Sequence, residues 1–432
     1  MKAIRIISRV LLGLLFIFSG YVKAIDPIGS ELIFIADFQA FGMEFLNPFA
    51  LLIGILLSTA ELVLGFCLLM GFRMKLTAWA TAAFMGFFTV FTFILAIFNP
   101  VTDCGCFGEA IKMSNWATFY KNVILDIFVV IIFWQRNNYR PLSNCCNEII
   151  VGTVFATLMV LLSVYCLRHL PLIDFLPYKV GVNIQQDMEI PEGASSDVYE
   201  TIWTYRKDGK QQEFLLEGNK IINFNNRNEE YDFSEFSKEW EFVDRKDKLI
   251  EEGYKPPIVD FSIISRDWYY ITDSILNLQG YLFIVTLPHA EDASLRNAGK
   301  INAIYDYVLA NEDLHFIGLS GSDEEHVMQF IEQTNALYPI HITDEKPLKS
   351  MVRSNPGLML LHNGTIIAKW SHIDVPSTKK LEKKYLSKNP DKLIVQHQTG
   401  ENFASPLLAI ALFVVMIILA YCFRKYGYQK ES

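Results

Sequence analysis

Five apolar segments fill the first 170 residues of this 432-residue chain. They cover about residues 5–24, 48–71, 76–98, 115–135 and 149–167, and a sixth covers about residues 404–423. Each is close to the ~20 residues that an α-helix needs to cross the hydrocarbon of a bilayer. With 51% hydrophobic residues and 33 Phe, the chain also lies outside the usual range of soluble enzymes. The sequence therefore predicts an integral membrane protein that carries a soluble part.

Basic residues in the short flanks of these segments predict the orientation of the helices. One side carries ten of them: Lys2, Arg5, Arg9, Arg73, Lys75, Arg136, Arg140, Arg424, Lys425 and Lys430. The opposite side carries only Lys112 and Arg168 in the corresponding flanks. The prediction is a bacterial inner-membrane protein with six transmembrane helices and cytoplasmic termini, and with residues 170–403 in the periplasm. The first segment is favoured as a helix over a signal peptide, because Lys23 interrupts the small-residue cleavage pattern.

Two cysteines one residue apart, Cys104 and Cys106, lie in the predicted outer loop between the third and fourth segments. A disulfide can persist on that side, whereas Cys145 and Cys146 fall on the reducing side. A disulfide across the single residue Gly105 would close a small, strained ring, which favours easy reduction and therefore relay chemistry. Thiol redox chemistry, a structural clip and a soft-metal site for copper(I) or zinc remain open. The metal site is the weakest, because two sulfurs leave the coordination incomplete.

Four ionisable residues lie in or beside the apolar segments: Lys23, Glu61, Lys121 and Asp126. Such groups are costly in a membrane and mark pathways or sites. Glu61 and Asp126 are predicted at matching depths, where they form a proton relay, act as a quinone-side acid or make a neutral interhelical hydrogen bond. Lys23 and Lys121 are candidates for lowering the pKa of a thiol in the cysteine loop. For Lys23, snorkelling to the interface is the alternative.

One pattern is formed by the run FSGYVKAIDP at residues 18–27, Glu61, the run DCGCFG at residues 103–108, Lys121 and Asp126. This pattern resembles the DoxX/MauE type of membrane protein, named after methylamine utilisation protein MauE. The resemblance implies a four-helix redox module, loosely related to membrane proteins of the vitamin K epoxide reductase type. MauE members are associated with methylamine utilisation, where they mature a disulfide-rich partner. The fifth helix and the outer domain resemble versions found in Bacteroidetes.

The outer segment begins with a polar stretch and continues with alternating strands and helices. The dipeptide Asp208-Gly209 predicts a two-residue hairpin in the polar stretch. Strands are then predicted at about residues 281–286, 314–319, 357–361 and 365–370, with helices at about residues 293–311 and 323–335. This order resembles a thioredoxin-like domain. Asn355-Pro356 stands just before a strand, where that fold keeps a cis-proline.

The outer domain departs from redox-active thioredoxin-like domains in its cysteines. Such domains carry Cys-x-x-Cys after the first central strand, but residues 287–294 read LPHAEDAS. No cysteine lies between Cys166 and Cys422, so the domain cannot perform dithiol chemistry itself. It is predicted either to bind a partner through Asn355 and Pro356 or to serve as a structural cap.

The predicted fold class is an α-helical membrane bundle with an extracytoplasmic α/β thioredoxin-like domain that lacks CxxC. The bundle comprises a four-helix DoxX/MauE-like core plus two further transmembrane helices. The predicted domains are residues 1–140 (four-helix core), 141–169 (fifth helix), 170–254 (hairpin-containing linker), 255–390 (thioredoxin-like domain) and 404–423 (C-terminal helix).

The predicted function is that of a membrane thiol:disulfide oxidoreductase or maturation factor. It uses Cys104 and Cys106, with an extracytoplasmic protein client and a quinone as electron partner. The alternative is a non-enzymatic assembly protein or scaffold whose thioredoxin-like domain binds a client. Membrane lipid is an expected partner; a bound metal and a nucleic-acid partner are not expected. The sequence contains no nucleotide-binding loop and no metalloprotease motif.

Overall fold

A computed structural model describes residues 2–101, 104–139, 145–191, 193–195, 198–217, 220–224, 226, 229–232, 236, 239–251, 253–259, 261–401, 407 and 414. The predicted sixth membrane helix, residues 404–423, therefore lies outside the described residues apart from two isolated positions. The chain divides into two compact units. One comprises Met1–Ile184 together with Asp260–Ser432, and the other comprises Gln185–Val259.

The first unit begins with six helices. They are α1 (Lys2–Ile25), α2 (Pro27–Ala40), α3 (Ala50–Met70), α4 (Met74–Phe98), α5 (Asn115–Trp134) and α6 (Cys145–Arg168). By length and composition, α1 and α3 to α6 can cross a membrane, and a short 3-10 helix, Glu44–Phe49, extends α3. The five apolar segments predicted in the first 170 residues are therefore confirmed as helices. This part of the chain is a membrane protein region.

The short helix α2 was not predicted from the sequence. Asp26 caps it, because its Oδ1 accepts a hydrogen bond of 2.9 Å from the backbone N–H of Gly29. Pro27 stands at the first helical position, where its missing N–H costs nothing. The cap and the proline together explain why a new helix starts directly after α1.

Glycines bring α1 and α3 into close contact. A Cβ on Gly20 would lie 2.8 Å from the carbonyl oxygen of Ser58, and one on Gly65 would lie 2.8 Å from that of Gly13. Small residues of this kind let the backbones of membrane helices approach closely. The approach places Lys23, one turn beyond Gly20, beside Glu61.

The second unit contains an antiparallel sheet. Its strands are β1 (Val198–Lys207), β2 (Lys210–Glu217), β3 (Lys220–Asn223), β4 (Glu230–Asp232) and β5 (Glu241–Glu251), in the order β4-β3-β2-β1-β5. The predicted hairpin is confirmed: Asp208 and Gly209 join β1 to β2 with φ angles of 51° and 74°. Phe214 and Phe236 are buried on the sheet and their rings lie 4.8 Å apart. A short helix, α7 (Ile184–Met188), precedes the sheet.

The rest of the first unit is an α/β domain. Its elements are α8 (Thr272–Leu276), β6 (Tyr281–Leu287), α9 (Ala298–Leu309), β7 (Leu314–Ser320), α10 (Glu324–Thr334), β8 (Ile340–Ile342), α11 (Glu345–Met351), β9 (Gly357–His362), β10 (Thr365–Ser371) and α12 (Thr378–Leu381). The strand order is β10-β9-β6-β7-β8. β6 runs parallel to β7 and antiparallel to β9. The Asn355-Pro356 peptide bond before β9 is cis. The strand order and the cis-proline confirm the predicted thioredoxin-like fold.

Candidate thiol site in the membrane region

Cys104 and Cys106 lie in the loop between α4 and α5, with both thiols free. Their Sγ atoms are 3.1 Å apart. Gly105 between them has a φ of +61°, a conformation that favours glycine. The side chain of Ile33 on α2 fills the space beside it, since a Cβ on Gly105 would lie 2.7 Å from Ile33 Cδ1. The backbone of the loop therefore holds the two sulfurs together.

The cysteines line a cavity of about 80 Å³ inside the helix bundle. Only 8% of Cys104 is exposed. Other polar residues that line the cavity are Ser19, Lys23, Ser30, Asp37, Glu61, Lys121 and Asn122. Aromatic residues supply much of the remaining wall: Phe16, Phe34, Phe84, Phe88, Phe91 and Phe107. The thiols therefore share a mainly apolar space with two lysines and two carboxyl groups.

Lys23 is buried and connects the cavity to the cysteine loop. Its Nζ lies 2.6 Å from Glu61 Oε1 and donates a second hydrogen bond of 3.2 Å to Ser19 Oγ. Ser19 Oγ in turn donates to the carbonyl oxygen of Cys106 at 2.8 Å. Lys23 and Glu61 are 8% and 4% exposed, so Lys23 does not snorkel to the interface. This network ties α1, α3 and the loop together.

Lys121 approaches the loop from α5. Its ammonium lies 4.3 Å from the centroid of the Phe107 ring, within the range of a cation–π interaction. The ring orients the positive charge, and Lys121 also lines the cavity that holds Cys104 and Cys106. Both lysines proposed from the sequence therefore lie beside the thiols.

The electrostatic environment distinguishes the two thiols. The hydrogen bond from the Cys104 thiol, followed by the charges of Lys121 and Lys23, lowers the pKa of Cys106 to about 6. The same hydrogen bond, together with burial and the charge of Asp37, raises the pKa of Cys104. A thiolate is the nucleophile in disulfide exchange. Cys106 can therefore attack, while Cys104 retains its proton until a later step.

Asp126 lies apart from this arrangement. Its Oδ2 accepts a hydrogen bond of 2.7 Å from Thr89 Oγ1, which joins α5 to α4. Asp126 is not among the residues that line the cavity. Glu61, which was predicted at the same depth, accepts a hydrogen bond from Lys23 and not from Asp126. The contact of Asp126 is an interhelical hydrogen bond between α4 and α5.

Asn355 and Pro356 lie at the carboxyl end of the thioredoxin-like sheet. Pro356 is buried, and Asn355 Nδ2 donates to the carbonyl oxygen of His289 at 2.6 Å. His289 belongs to the segment after β6, where redox-active members of this fold carry their cysteines. The proline loop therefore packs against that segment.

Sequence reasoning missed several polar groups of the site, among them Ser19 and Asp37. Ser19 lies on α1 one turn before Lys23, and its position alone gave no reason to expect a bond to the loop. Asp37 lies on α2 and is 6% exposed. The Asp26-Pro27 dipeptide, a helix cap followed by a first-turn proline, is the signal that could have revealed α2.

Comparison with known proteins finds a family that is similar to the first part of the chain. Residues 1–135 match the family model of methylamine utilisation protein MauE. Residues 1–135 are called the MauE-like region because of this similarity. The matched residues include α1 to α5, and hence the MauE-like region contains every residue that lines the cysteine cavity.

A curated relative is also similar to this chain. The chain is 27% identical over 160 residues to Protein TlpB of Flavobacterium psychrophilum. The match takes in 35% of this chain and 41% of TlpB. The chain thus spans about two-fifths of the length of this relative.

Two solved structures also show similarity. The first is the C-terminal domain of a protein described as a thiol-disulfide oxidoreductase from Bacteroides thetaiotaomicron, with a TM-score of 0.25 and 18% identity over 32% of this chain and 93% of that domain. The second is a secreted Mycobacterium tuberculosis disulfide oxidoreductase, with a TM-score of 0.21 and 10% identity over 32% of this chain and 96% of that protein. The strand order and the cis-proline of the outer domain are those of a thioredoxin-like fold.

Proposed function

We propose that the chain is a membrane thiol–disulfide redox protein in which Cys104 and Cys106 form the reacting pair. One observation carries the proposal: the two sulfurs lie 3.1 Å apart in a cavity that also holds Lys23 and Lys121. The positive charges favour a thiolate at Cys106. Glu61 supports this arrangement, because its ion pair keeps Lys23 at the loop.

Exchange with a protein client passes through one mixed disulfide. The Cys106 thiolate attacks a client disulfide, the client S–S bond breaks, and the departing client sulfur takes up a proton. Cys104 then loses its proton and attacks the Cys106 sulfur, which releases the second client thiol and forms the Cys104–Cys106 disulfide. The reverse sequence carries two electrons from a client dithiol to the pair.

A quinone is the electron acceptor that we propose for the reverse direction. The dithiol would give up two electrons and two protons, and the quinone would become a quinol. A cavity of 80 Å³ has room for about five to eight waters, because one water needs about 10–15 Å³ by the same measure. That space suits one aromatic ring among Phe84, Phe88 and Phe91, and it excludes a folded peptide.

We also propose the orientation of the membrane helices and the division of the chain into domains. We place both termini in the cytoplasm and residues 170–403 in the periplasm, with a sixth membrane helix at residues 404–423. The four-helix domain is residues 1–140, the fifth helix 141–169, the linker region 170–254 and the thioredoxin-like domain 255–390. The basic residues that flank the apolar segments support this orientation.

Trapping of the mixed disulfide tests the function. The variant Cys104→Ser retains the attacking thiol but lacks the resolving one, so we expect adducts on Cys106 to accumulate in non-reducing gels and in peptide mass spectra. We expect much weaker trapping in Cys106→Ser and none at the loop in the double variant. The exposed Cys146 stays in all variants as a control for random oxidation. Cys104→Ser without any adduct on Cys106 would contradict the proposal.

The alternative function, an assembly factor with client binding at Asn355 and Pro356, has less support. Pro356 is buried and Asn355 is bonded to the segment after β6, so the loop would have to move to receive a client. Under this alternative, Cys104→Ser with Cys106→Ser would leave client maturation unchanged.

A further inference from the structure

An arginine at the proline edge of the thioredoxin-like domain reaches the MauE-like region. Arg353 follows α11 and precedes the cis Asn355-Pro356 bond, and only 3% of it is exposed. Its Nε and Nη2 donate to Asp26 Oδ2 at 3.3 and 3.1 Å. Its Nη1 donates to the carbonyl oxygen of Lys349 at 2.9 Å. The guanidinium therefore joins two parts of the fold that are 327 residues apart in sequence.

Arg353 contacts two acidic residues. One of them caps the helix that packs against the cysteine loop, and the other belongs to that loop. Asp26 caps α2, and Ile33 on that helix packs against Gly105 between the cysteines. Arg353 Nη2 also lies 3.9 Å from Oε1 of Glu109, which belongs to the cysteine loop itself. One side chain of the outer domain thus contacts the loop directly and also through the helix beneath it.

A second pair of charges lies beside this contact. Burial raises the pKa of Glu31 on α2, while the charge of Lys349 on α11 opposes that rise. Glu31 and Lys349 therefore attract each other across the same junction. Gly29 leaves room for the main contact, because a Cβ there would lie 2.3 Å from Asp26 Oδ2 and 3.1 Å from Arg353 Nη2. The junction is charge-complementary and closely packed.

We propose that Arg353 is a positioning residue that closes the dithiol loop to protein partners, so that the thioredoxin-like domain serves as a clamp on its own membrane region. The domain carries no cysteine, and Arg353, which lies beside its cis-proline, is 3.9 Å from Glu109 of the chain's own cysteine loop. Cys104 is 8% exposed and Cys106 is only partly exposed, so a disulfide on a folded client cannot reach the pair until the clamp opens. This use of the clamp rests on the proposed function.

The clamp is tested by comparing a small and a bulky thiol reagent on the full-length reduced protein. Iodoacetamide reports on the thiolate, whereas a polyethylene-glycol maleimide also requires an open path. The loss of unmodified loop peptide gives each rate, and the ratio of the two rates separates access from reactivity. In Arg353→Met we expect the bulky reagent to react about tenfold faster or more, because a broken buried ion pair strongly favours opening. We expect the iodoacetamide rate to change by less than about threefold.

Two further variants keep the test decisive if Arg353→Met folds poorly. Asp26→Asn retains a helix-capping side chain but removes the charge that binds Arg353. We expect the same selective increase for the bulky reagent, and no additional increase when both substitutions are combined. Arg266→Met replaces an arginine on an exposed part of the same domain and should leave both rates unchanged.

The outcomes distinguish the clamp from the redox function. Unchanged rates with the bulky reagent in both Arg353→Met and Asp26→Asn would overturn the clamp, as would an equal increase with both reagents. Neither result depends on whether Cys104 and Cys106 cycle, because the pair is reduced chemically before labelling. Failure of the trapping experiment would instead overturn the redox function and leave the measured access unaffected.

Discussion

Alkylation of Cys106 is expected to follow a titration with a pKa of about 6, compared with 9.0 for an ordinary thiol. The hydrogen bond from the Cys104 thiol is the largest cause, and the charges of Lys121 and Lys23 add to it. Because these interactions stabilise the thiolate, reactivity should rise between about pH 5 and 7 and then level off. The measurement is the rate of iodoacetamide labelling of the loop peptide as a function of pH.

The shape of this profile is more informative than the rate at one pH. At pH 7 a pKa of 6 makes about 90% of the thiol a thiolate, compared with about 1% for a pKa of 9. The intrinsic nucleophilicity of the thiolate falls by about 20-fold over the same change in pKa. The two effects leave a rate gain of only about fourfold. The midpoint of the titration, however, moves by the full difference between the two pKa values.

Lys121→Met tests the electrostatic cause. Removal of the ammonium should move the midpoint of the Cys106 titration to higher pH, whereas Lys121→Arg should retain most of the shift. Asp126→Asn, on the same helix but outside the cavity lining, is the matched control and should leave the midpoint unchanged. A midpoint near that of an ordinary thiol in the unaltered protein would contradict the assigned thiolate.

Lys23→Met is expected to cause the largest loss of stability. It would leave the Glu61 carboxyl group buried without its ion-pair partner, and breaking one side of a buried pair costs about 3–5 kcal/mol. Among the described residues, Glu61 Oε2 has no hydrogen-bond partner that could compensate. The measurement is the free energy of unfolding in detergent micelles, followed by helix content.

A double variant separates the pair from the packing around it. Lys23→Met combined with Glu61→Gln removes both charges, so most of the lost stability should return. Glu61→Gln alone leaves the Lys23 ammonium without its carboxylate and should also be destabilising. A loss below about 1 kcal/mol in Lys23→Met would show that the pair is not buried as described.

Short stretches of sequence predicted those helices, strands and turns whose formation depends on neighbouring residues. A run of about 20 apolar residues can be satisfied in a membrane only as a helix, so α1 and α3 to α6 followed from the sequence. Asp208-Gly209 predicted its hairpin, because both positions need the left-handed conformation. The central strands were predicted because they are continuous apolar runs. The three-residue strand β8 is too short to give such a pattern.

The candidate site depended on features that local patterns do not contain. Glu61 and Asp126 were predicted at similar depths, but depth does not determine which way a helix is rotated. Packing turns Glu61 toward Lys23 and Asp126 toward Thr89. The contact of Arg353 with Asp26 joins distant parts of the chain, so no spacing rule could predict it. The cysteine pair itself was evident because Cys104 and Cys106 are close in sequence.

Differential alkylation of Cys104 and Cys106 in intact membranes tests the central claim most directly. Free thiols are labelled with one isotope of iodoacetamide, disulfides are then reduced and labelled with another, and the loop peptide is analysed by mass spectrometry. We predict that the oxidised fraction of the pair rises when an oxidised quinone is added and falls when a membrane-impermeant dithiol is added. A pair that stays fully reduced, or fully oxidised, under both treatments would contradict a working redox site.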